Sequence, residues 1–97
     1  MKLRWTSEAT SDLAGIGDYL RDRSPAAALR VRADILATLE STSRFPFIGR
    51  VQTEPGVRKL VTSRYSYLIY YAVDERAGEI AVLSIRHPAR QREYEDG

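Results

Sequence analysis

Two apolar stripes, one on either side of a serine–proline pair, restrict this chain to folds with a second structural layer. The first stripe consists of Ala9, Leu13, Ile16 and Leu20, and the second of Ala28, Val31, Ile35, Leu36 and Leu39. Their spacings of three and four residues predict two amphipathic helices. Ser24 followed by Pro25 favours a helix start, so we expect the first helix to run to about Arg23 and the second to end near Thr42 or Ser43. So short a link predicts an antiparallel hairpin, and neither helix can bury its stripe without a further layer.

That layer is predicted to be a β-sheet. Residues 2–5 alternate polar and apolar side chains and predict a short N-terminal strand. Runs rich in β-branched and aromatic residues predict three further strands over residues 57–63, 67–73 and 79–87. The stretch RFPFIGRVQTEPG, which holds two prolines and two glycines, is predicted to be a loop. We therefore expect one α+β domain over residues 1–97, with an N-terminal strand and an antiparallel helix hairpin packed on a small, mainly antiparallel β-sheet.

The last predicted strand carries side chains on two faces. Strict alternation assigns Ile80, Val82, Ser84 and Arg86 to one face and Ala81, Leu83, Ile85 and His87 to the other. Arg86 and His87 should therefore leave the strand on opposite faces of the sheet.

Composition excludes several classes of protein. The chain has no cysteine, which excludes a disulfide framework and a thiolate metal site and suits a reducing compartment. No stretch approaches the roughly 20 apolar residues that span a bilayer, and the charged start MKLRWTSEA does not resemble a signal peptide. We expect a cytoplasmic location without membrane association. No cluster of metal ligands and no glycine-rich phosphate loop is present, so we expect neither metal nor cofactor.

Basic residues in the second half of the chain are the candidate binding groups. Residues 44–97 hold nine Lys or Arg against seven acids. The candidates for a basic patch are Arg58, Lys59, Arg64, Arg86, Arg90 and Arg92. Such a patch meets phosphates or an acidic partner, although a solvated surface has the same composition. His87 is the one side chain with an unperturbed pKa near neutrality, so it is either a general acid or base or a structural residue at the end of a strand.

The order of elements and several local phrases resemble the RelE/ParE superfamily of toxins from bacterial toxin-antitoxin modules. The matching phrases are DLAGIGDYL, SPAAALRV, RFPFIGR, GVRKLV, YSYLIYYAV and IAVLSIRH. The resemblance covers nearly the whole chain, from Leu3 to about Tyr94, and the ordered set of phrases is more specific than any one phrase. Residues 45–50, Arg58 and the final Arg-His pair look most like the ParE branch, which is also called the plasmid stabilisation type.

The two branches imply different activities. Resemblance to RelE implies an endonuclease that cuts messenger RNA on the ribosome, with basic side chains on the sheet and a tail tyrosine or histidine assisting proton transfer. The catalytic residues would then be Arg58, Arg86, His87 and Tyr94. Resemblance to ParE implies no catalysis by the toxin itself, which would bind DNA gyrase, trap its cleaved DNA complex and stop growth.

The residues at the RelE positions favour the ParE branch. Leu60, Tyr67 and Pro88 stand where the nuclease carries basic residues. The resemblance then makes the basic candidates and His87 partner-binding residues: Arg58, Lys59, Arg64, Arg86, His87, Arg90 and Arg92. Nuclease activity stays open as the alternative, with His87 as a substitute proton-transfer group.

Both branches imply a cognate antitoxin, of the ParD type for a ParE-like toxin. The toxin would meet operator DNA only indirectly, through that antitoxin. A third hypothesis is an inert member of the fold that serves as a binding module or co-repressor with its antitoxin.

Overall fold

Ser24 ends one helix and begins the next. The structure, a computed structural model, describes residues 1–89. The Ser24 N–H donates a 2.7 Å hydrogen bond to the last turn of helix α1 (Ser7–Arg23). Its hydroxyl accepts a 3.2 Å hydrogen bond from the N–H of Ala27, in the first turn of helix α2 (Pro25–Arg44). The predicted helix hairpin is confirmed, with the serine satisfying backbone groups of both helices.

A five-stranded mixed sheet forms the second layer. Its strands are β1 (Lys2–Trp5), β2 (Arg50–Val51), β3 (Val57–Val61), β4 (Leu68–Asp74) and β5 (Glu79–Arg86). They lie in the order β1-β5-β4-β3-β2, with β1 parallel to β5 and every other pair antiparallel. The short strand β2 lies in the stretch predicted as a loop and pairs with Arg58 and Lys59. The predicted α+β class and the mainly antiparallel sheet are confirmed.

A β-bulge between β4 and β5 changes which side chains share a face. Ile69 pairs with Ile85 and Tyr71 pairs with Val82, so β5 contains one more residue than β4 between these pairs. Val82 and Ile85 consequently both belong to the core cluster beneath the helices, although three positions separate them. Strict alternation had assigned Val82 and Ile85 to opposite faces, and that prediction was wrong because the extra residue reverses the phase of the strand.

The core lies between the helix hairpin and the inner face of the sheet. Its buried members are Ala9, Val31, Ile35, Leu39, Tyr67, Ile69, Val82 and Ile85, and Leu3, Trp5, Leu13, Ile16 and Leu20 pack against them. Both predicted stripes thus contribute to this cluster, apart from two residues of the second stripe: Ala28 is buried outside it, and Leu36 is half-buried outside it. Burial of apolar surface between the two layers is the main stabilising contribution of this arrangement.

Two aspartates tie the helices to backbone groups of the sheet layer. Asp12 of α1 accepts a 2.9 Å hydrogen bond from the N–H of Ile85, next to the bulge. Asp34 of α2, only 5% exposed, accepts hydrogen bonds from the N–H groups of Tyr65 at 2.9 Å and Arg64 at 3.4 Å. Each carboxylate satisfies N–H groups that the strand ladder leaves without a partner, so these acids position the helices on the sheet.

Candidate partner-binding surfaces

The loop after α2, residues 45–50, is hydrogen-bonded through its backbone to the Tyr71 side chain of β4. The Tyr71 hydroxyl donates a 2.9 Å hydrogen bond to the Pro46 carbonyl and accepts one of 2.9 Å from the Gly49 N–H. Burial raises the pKa of the Tyr71 phenol above its ordinary value, and the Gly49 N–H and the positive charge of Arg58 partly offset this rise. The loop backbone is therefore anchored to the central part of the sheet.

Arg58 holds the same loop from β3. Its guanidinium Nη1 donates to the Gly49 carbonyl at 2.9 Å and to the Phe47 carbonyl at 3.1 Å. The guanidinium carbon also lies 5.1 Å from the centre of the Phe47 ring. Arg58 was predicted as a phosphate or partner contact, and the structure places its guanidinium against loop carbonyls.

The side chains of the held loop point to solvent. Phe45 is 61% exposed, Phe47 51% and Ile48 58%, and Val51 just beyond is 65% exposed. Large apolar side chains grouped on a fixed backbone are typical of a surface that a partner covers. Sequence reasoning missed these residues as binding candidates, because loop position alone does not reveal which apolar side chains lack a cover.

A groove runs from this loop between α2 and β3. This α2–β3 groove has a volume of about 630 Å³. Its apolar lining comes from Ala33, Ala37, Ile48, Leu60, Val61 and Tyr65. Arg30 and Arg64 also line it, and both are exposed. Of the predicted basic candidates, Arg64 is the one that the structure places here.

His87 lies on the helix side of the sheet. Its Nδ1 accepts a 3.0 Å hydrogen bond from the N–H of Ala89, and its ring meets the Tyr67 ring edge-on with centroids 5.3 Å apart. Gly15, Ile16 and Tyr19 of α1 line the same small cavity. Because Nδ1 accepts a hydrogen bond, the neutral imidazole carries its proton on Nε2.

Arg86 lies on the opposite face, as the sequence predicts. Its guanidinium is 3.4 Å from a carboxylate oxygen of Glu8. It lines a shallow depression on the outer face of the sheet, which we call the outer pocket, together with Thr6, Glu8, Glu54, Val57, Tyr70, Leu83 and Ser84. Within the described residues, one cation and two carboxylates therefore line the outer pocket, a composition that disfavours a phosphate.

The predicted site residues do not form one patch in the described part of the chain. Lys59 pairs in register with Tyr70 and so shares the outer face with Arg86. Arg58 lies at the 45–50 loop. Arg64 lies at the α2–β3 groove, and His87 lies on the helix side of the sheet. Arg90, Arg92 and Tyr94 lie outside the described residues.

Two kinds of site find no support in residues 1–89. Neither helix is long and apolar enough to span a membrane. In the same part of the chain, no three His, Asp or Glu side chains come together as metal ligands.

Comparison with known proteins gives the same family from sequence and structure. Residues 3–92 match the family model described as ParE toxin of type II toxin-antitoxin system, parDE. The chain is 35% identical over 86 residues to Toxin RelE2 of Caulobacter vibrioides, covering 89% of this chain and 93% of that protein. It also resembles a solved structure titled Chromosomal ParDE TA system from P. aeruginosa, with a TM-score of 0.75, 31% identity, and coverage of 90% of this chain and 95% of that chain.

Proposed function

Because the chain belongs to the ParE toxin family of type II toxin-antitoxin systems, we propose that it stops growth by binding DNA gyrase and stalling the cleaved DNA complex. In this proposal it catalyses no reaction of its own, and a cognate ParD-like antitoxin neutralises it. It would act in the cytoplasm, where gyrase is found, and would meet operator DNA only through the antitoxin. Membership of the RelE/ParE superfamily, predicted from the sequence, is confirmed; the target is the part that we propose.

The position of Arg58 carries the proposal. A nuclease of the RelE type needs cations on the sheet that are available to a phosphate in the transition state. Both hydrogen bonds of Arg58 that we describe go to carbonyls of the 45–50 loop. Freeing its guanidinium for RNA would remove the support of that loop. This use of Arg58 supports a binding function.

The surroundings of His87 support the same conclusion. A general base needs a free lone pair within reach of the proton that it removes. The lone pair of Nδ1 is engaged by the Ala89 N–H at 3.0 Å, and the ring packs against Tyr67. This geometry disfavours His87 as a general base and so supports the structural role that the sequence left open.

One comparison favours a second candidate, a RelE-like ribosome-dependent nuclease. The Caulobacter relative is named RelE2. Arg86, Tyr70 and Ser84 also line one pocket and offer a cation and hydroxyl groups on the outer face. Glu8 and Glu54 oppose this candidate, since both carboxylates would repel an RNA phosphate there.

Two assays on one preparation distinguish the candidates. Purified gyrase is tested for loss of supercoiling and for linear DNA from trapped cleavage, and programmed ribosomes are tested for cut messenger. We expect inhibited supercoiling, linear DNA and intact messenger. Cut messenger with unaffected gyrase would establish the nuclease instead. Folded protein that affects neither and causes no growth arrest would support the inert binding module.

His87→Ala and Arg86→Gln sharpen this result. If the toxin binds gyrase and cleaves no RNA, the parent chain and both variants should leave the messenger intact. Cleavage by the parent chain that disappears in His87→Ala but persists in Tyr19→Phe, a change at an exposed tyrosine, would contradict the proposal.

A further inference from the structure

We propose that the outer pocket binds the guanidinium group of an arginine side chain that another protein presents. The charge of the pocket, a buried hydroxyl without a hydrogen bond and an apolar floor each support this ligand. None of the residues that line the outer pocket lines the α2–β3 groove, so the two are separate sites. The proposal goes beyond the proposed function and does not depend on whether gyrase or the ribosome is the target.

The accessible charge of the outer pocket is negative. Arg86 and Glu8 lie 3.4 Å apart, so their charges largely offset each other. Glu54 is exposed between β2 and β3, and no cation of residues 1–89 lies within ion-pair distance of its carboxylate. Lys59 shares the outer face of the sheet but does not line the pocket. One carboxylate therefore lacks a balancing charge, which favours a cationic ligand.

Ser84 is an independent indication of a ligand. The residue is only 7% exposed and lines the outer pocket. Within residues 1–89 its hydroxyl makes no hydrogen bond, whereas every fully buried polar atom of the side chains in that part of the chain has a partner. The hydroxyl oxygen must therefore be accessible from the pocket. A nearly buried hydroxyl without a protein partner is a group that the N–H of a ligand can satisfy.

The floor of the pocket suits the stem of an arginine. Val57 of β3, the Tyr70 ring of β4 and Leu83 of β5 line the pocket, so its apolar surface extends over three adjacent strands. Three strands span roughly 10 Å at the usual spacing between neighbours. An arginine side chain packs its methylene stem on such a surface and extends its charged end to polar groups at the rim.

The positions of the acids favour a guanidinium over an ammonium. Glu8 lies next to β5 through its contact with Arg86, and Glu54 lies next to the start of β3. A guanidinium has five N–H donors in a planar fork and is weakly hydrated, so it can meet Glu54 and the Ser84 hydroxyl together. An ammonium is compact and strongly hydrated, and it gains less from acceptors on different strands.

Nuclear magnetic resonance of the isotope-labelled full-length chain tests the proposal. Three short peptides of glycine and serine are titrated, which differ only in a central arginine, lysine or citrulline, the neutral isostere of arginine. We expect the arginine peptide to bind most tightly and to shift the backbone signals of Leu83 and Ser84. Citrulline should weaken binding by about threefold or more, as expected for loss of a partly exposed ion pair. Equal affinities for the three peptides, or pocket signals that do not move, would overturn the proposal.

Variants of the chain identify the groups that hold the ligand. Glu54→Gln should weaken the arginine peptide by about threefold or more, because it removes the carboxylate that has no cation. Glu75→Gln is the matched control: it removes the same charge at an exposed turn outside the pocket and should change the affinity by less than about twofold. Ser84→Ala removes one acceptor without changing the charge and should also weaken binding. An arginine peptide that binds Glu54→Gln as tightly as the parent chain contradicts the proposal.

Two further measurements establish the source of the guanidinium. Methylguanidinium lacks the stem and the backbone and should bind more weakly than the arginine peptide. Equal affinity would assign the pocket to a free guanidinium compound and contradict binding of a protein side chain. A concentration-dependent dimer that Glu54→Gln abolishes would assign the arginine to a second copy of this chain and contradict a different partner. If the chain does not inhibit gyrase but the peptides behave as expected, the proposed function fails and the guanidinium site stands.

Discussion

The hydroxyl of Tyr71 and the backbone N–H of Gly49 are joined by a 2.9 Å hydrogen bond between residues that are 22 positions apart. A Cβ atom added to Gly49 would lie 2.5 Å from that same oxygen, which is closer than real Cβ contacts allow. The glycine is therefore required by the proximity of the phenol. Its place in the phrase FPFIGR reflects packing against β4.

Gly49→Ala should consequently destabilise the chain. The added methyl group must displace the buried Tyr71 ring or the loop, and we expect the free energy of unfolding to fall by about 1–3 kcal/mol, the usual cost of overpacking. Urea denaturation of both proteins measures this difference. Gly15→Ala is the control, because an added Cβ there meets nothing within 4 Å, and it should raise stability by about 0.5–1 kcal/mol through helix propensity. Equal stability of Gly49→Ala and the parent chain would show that the loop is free to move away from Tyr71.

Tyr71 also predicts a dependence of stability on alkaline pH. Burial raises the pKa of its phenol above the ordinary 10.0, so the folded chain retains this proton when the unfolded chain has begun to lose it. The unfolded state then binds fewer protons, and the free energy of unfolding falls as pH rises above about 10. Below that pH the contribution is fully present. Urea denaturation between pH 8 and pH 11 should give a shallower decline for Tyr71→Phe than for the parent chain, and identical declines would contradict the assignment.

Asp34→Ala should weaken the contact between α2 and the turn before β4. Its carboxylate accepts hydrogen bonds from the Tyr65 and Arg64 N–H groups, and the side chain is buried. Loss of the acceptor leaves these donors unsatisfied at a cost of about 1–3 kcal/mol. Thermal and urea unfolding measure the loss. The exposed Asp22→Ala in the last turn of α1 should change stability by no more than about 0.5 kcal/mol, and a similar effect from both changes would argue against a specific role for Asp34.

Arg58→Gln separates support of the loop from direct contact with RNA. Loss of the guanidinium should lower the free energy of unfolding by about 1–3 kcal/mol, because hydrogen bonds from charged groups to the Phe47 and Gly49 carbonyls are removed. It should also speed protease cleavage within residues 45–50, which mass spectrometry can locate. Arg76→Gln, at an exposed turn, is the control and should do neither. Unchanged stability and cleavage in Arg58→Gln would return this arginine to the candidates for direct binding.

Local patterns predicted both helices and four of the five strands described. The bulge in β5 and strand β2, which were not predicted, depend on pairing between strands. Ser24 and the apolar spacings act within a few residues, so both helices were readable from the sequence. The bulge opposite Tyr70 depends on how two strands align, and no residue of β5 marks it. Strand β2 is too short for a period to be visible.

The candidate site was harder to predict than the fold. A guanidinium can donate hydrogen bonds to a phosphate, a carboxylate or a carbonyl, so the role of Arg58 depends on where the 45–50 loop lies. The α2–β3 groove was missed for a related reason. Ala33 and Ala37 are unremarkable helix formers in the sequence, and their importance comes from the gap opposite Leu60 and Val61.

The parallel pairing of β1 with β5 has a consequence for synthesis of the chain. The N–H of Thr6, at the end of β1, donates to the carbonyl of Val82, and its hydroxyl donates to the same carbonyl across 76 residues of sequence. Strand β5 is the only neighbour of β1 in the sheet of the described residues, and it also pairs with β4 and contacts α1. During translation the helix hairpin can form early from local contacts, but the sheet waits for β5, the last described strand to leave the ribosome. The groove wall and the supported loop depend on that sheet, so a nascent chain acquires both of them only after β5 has emerged.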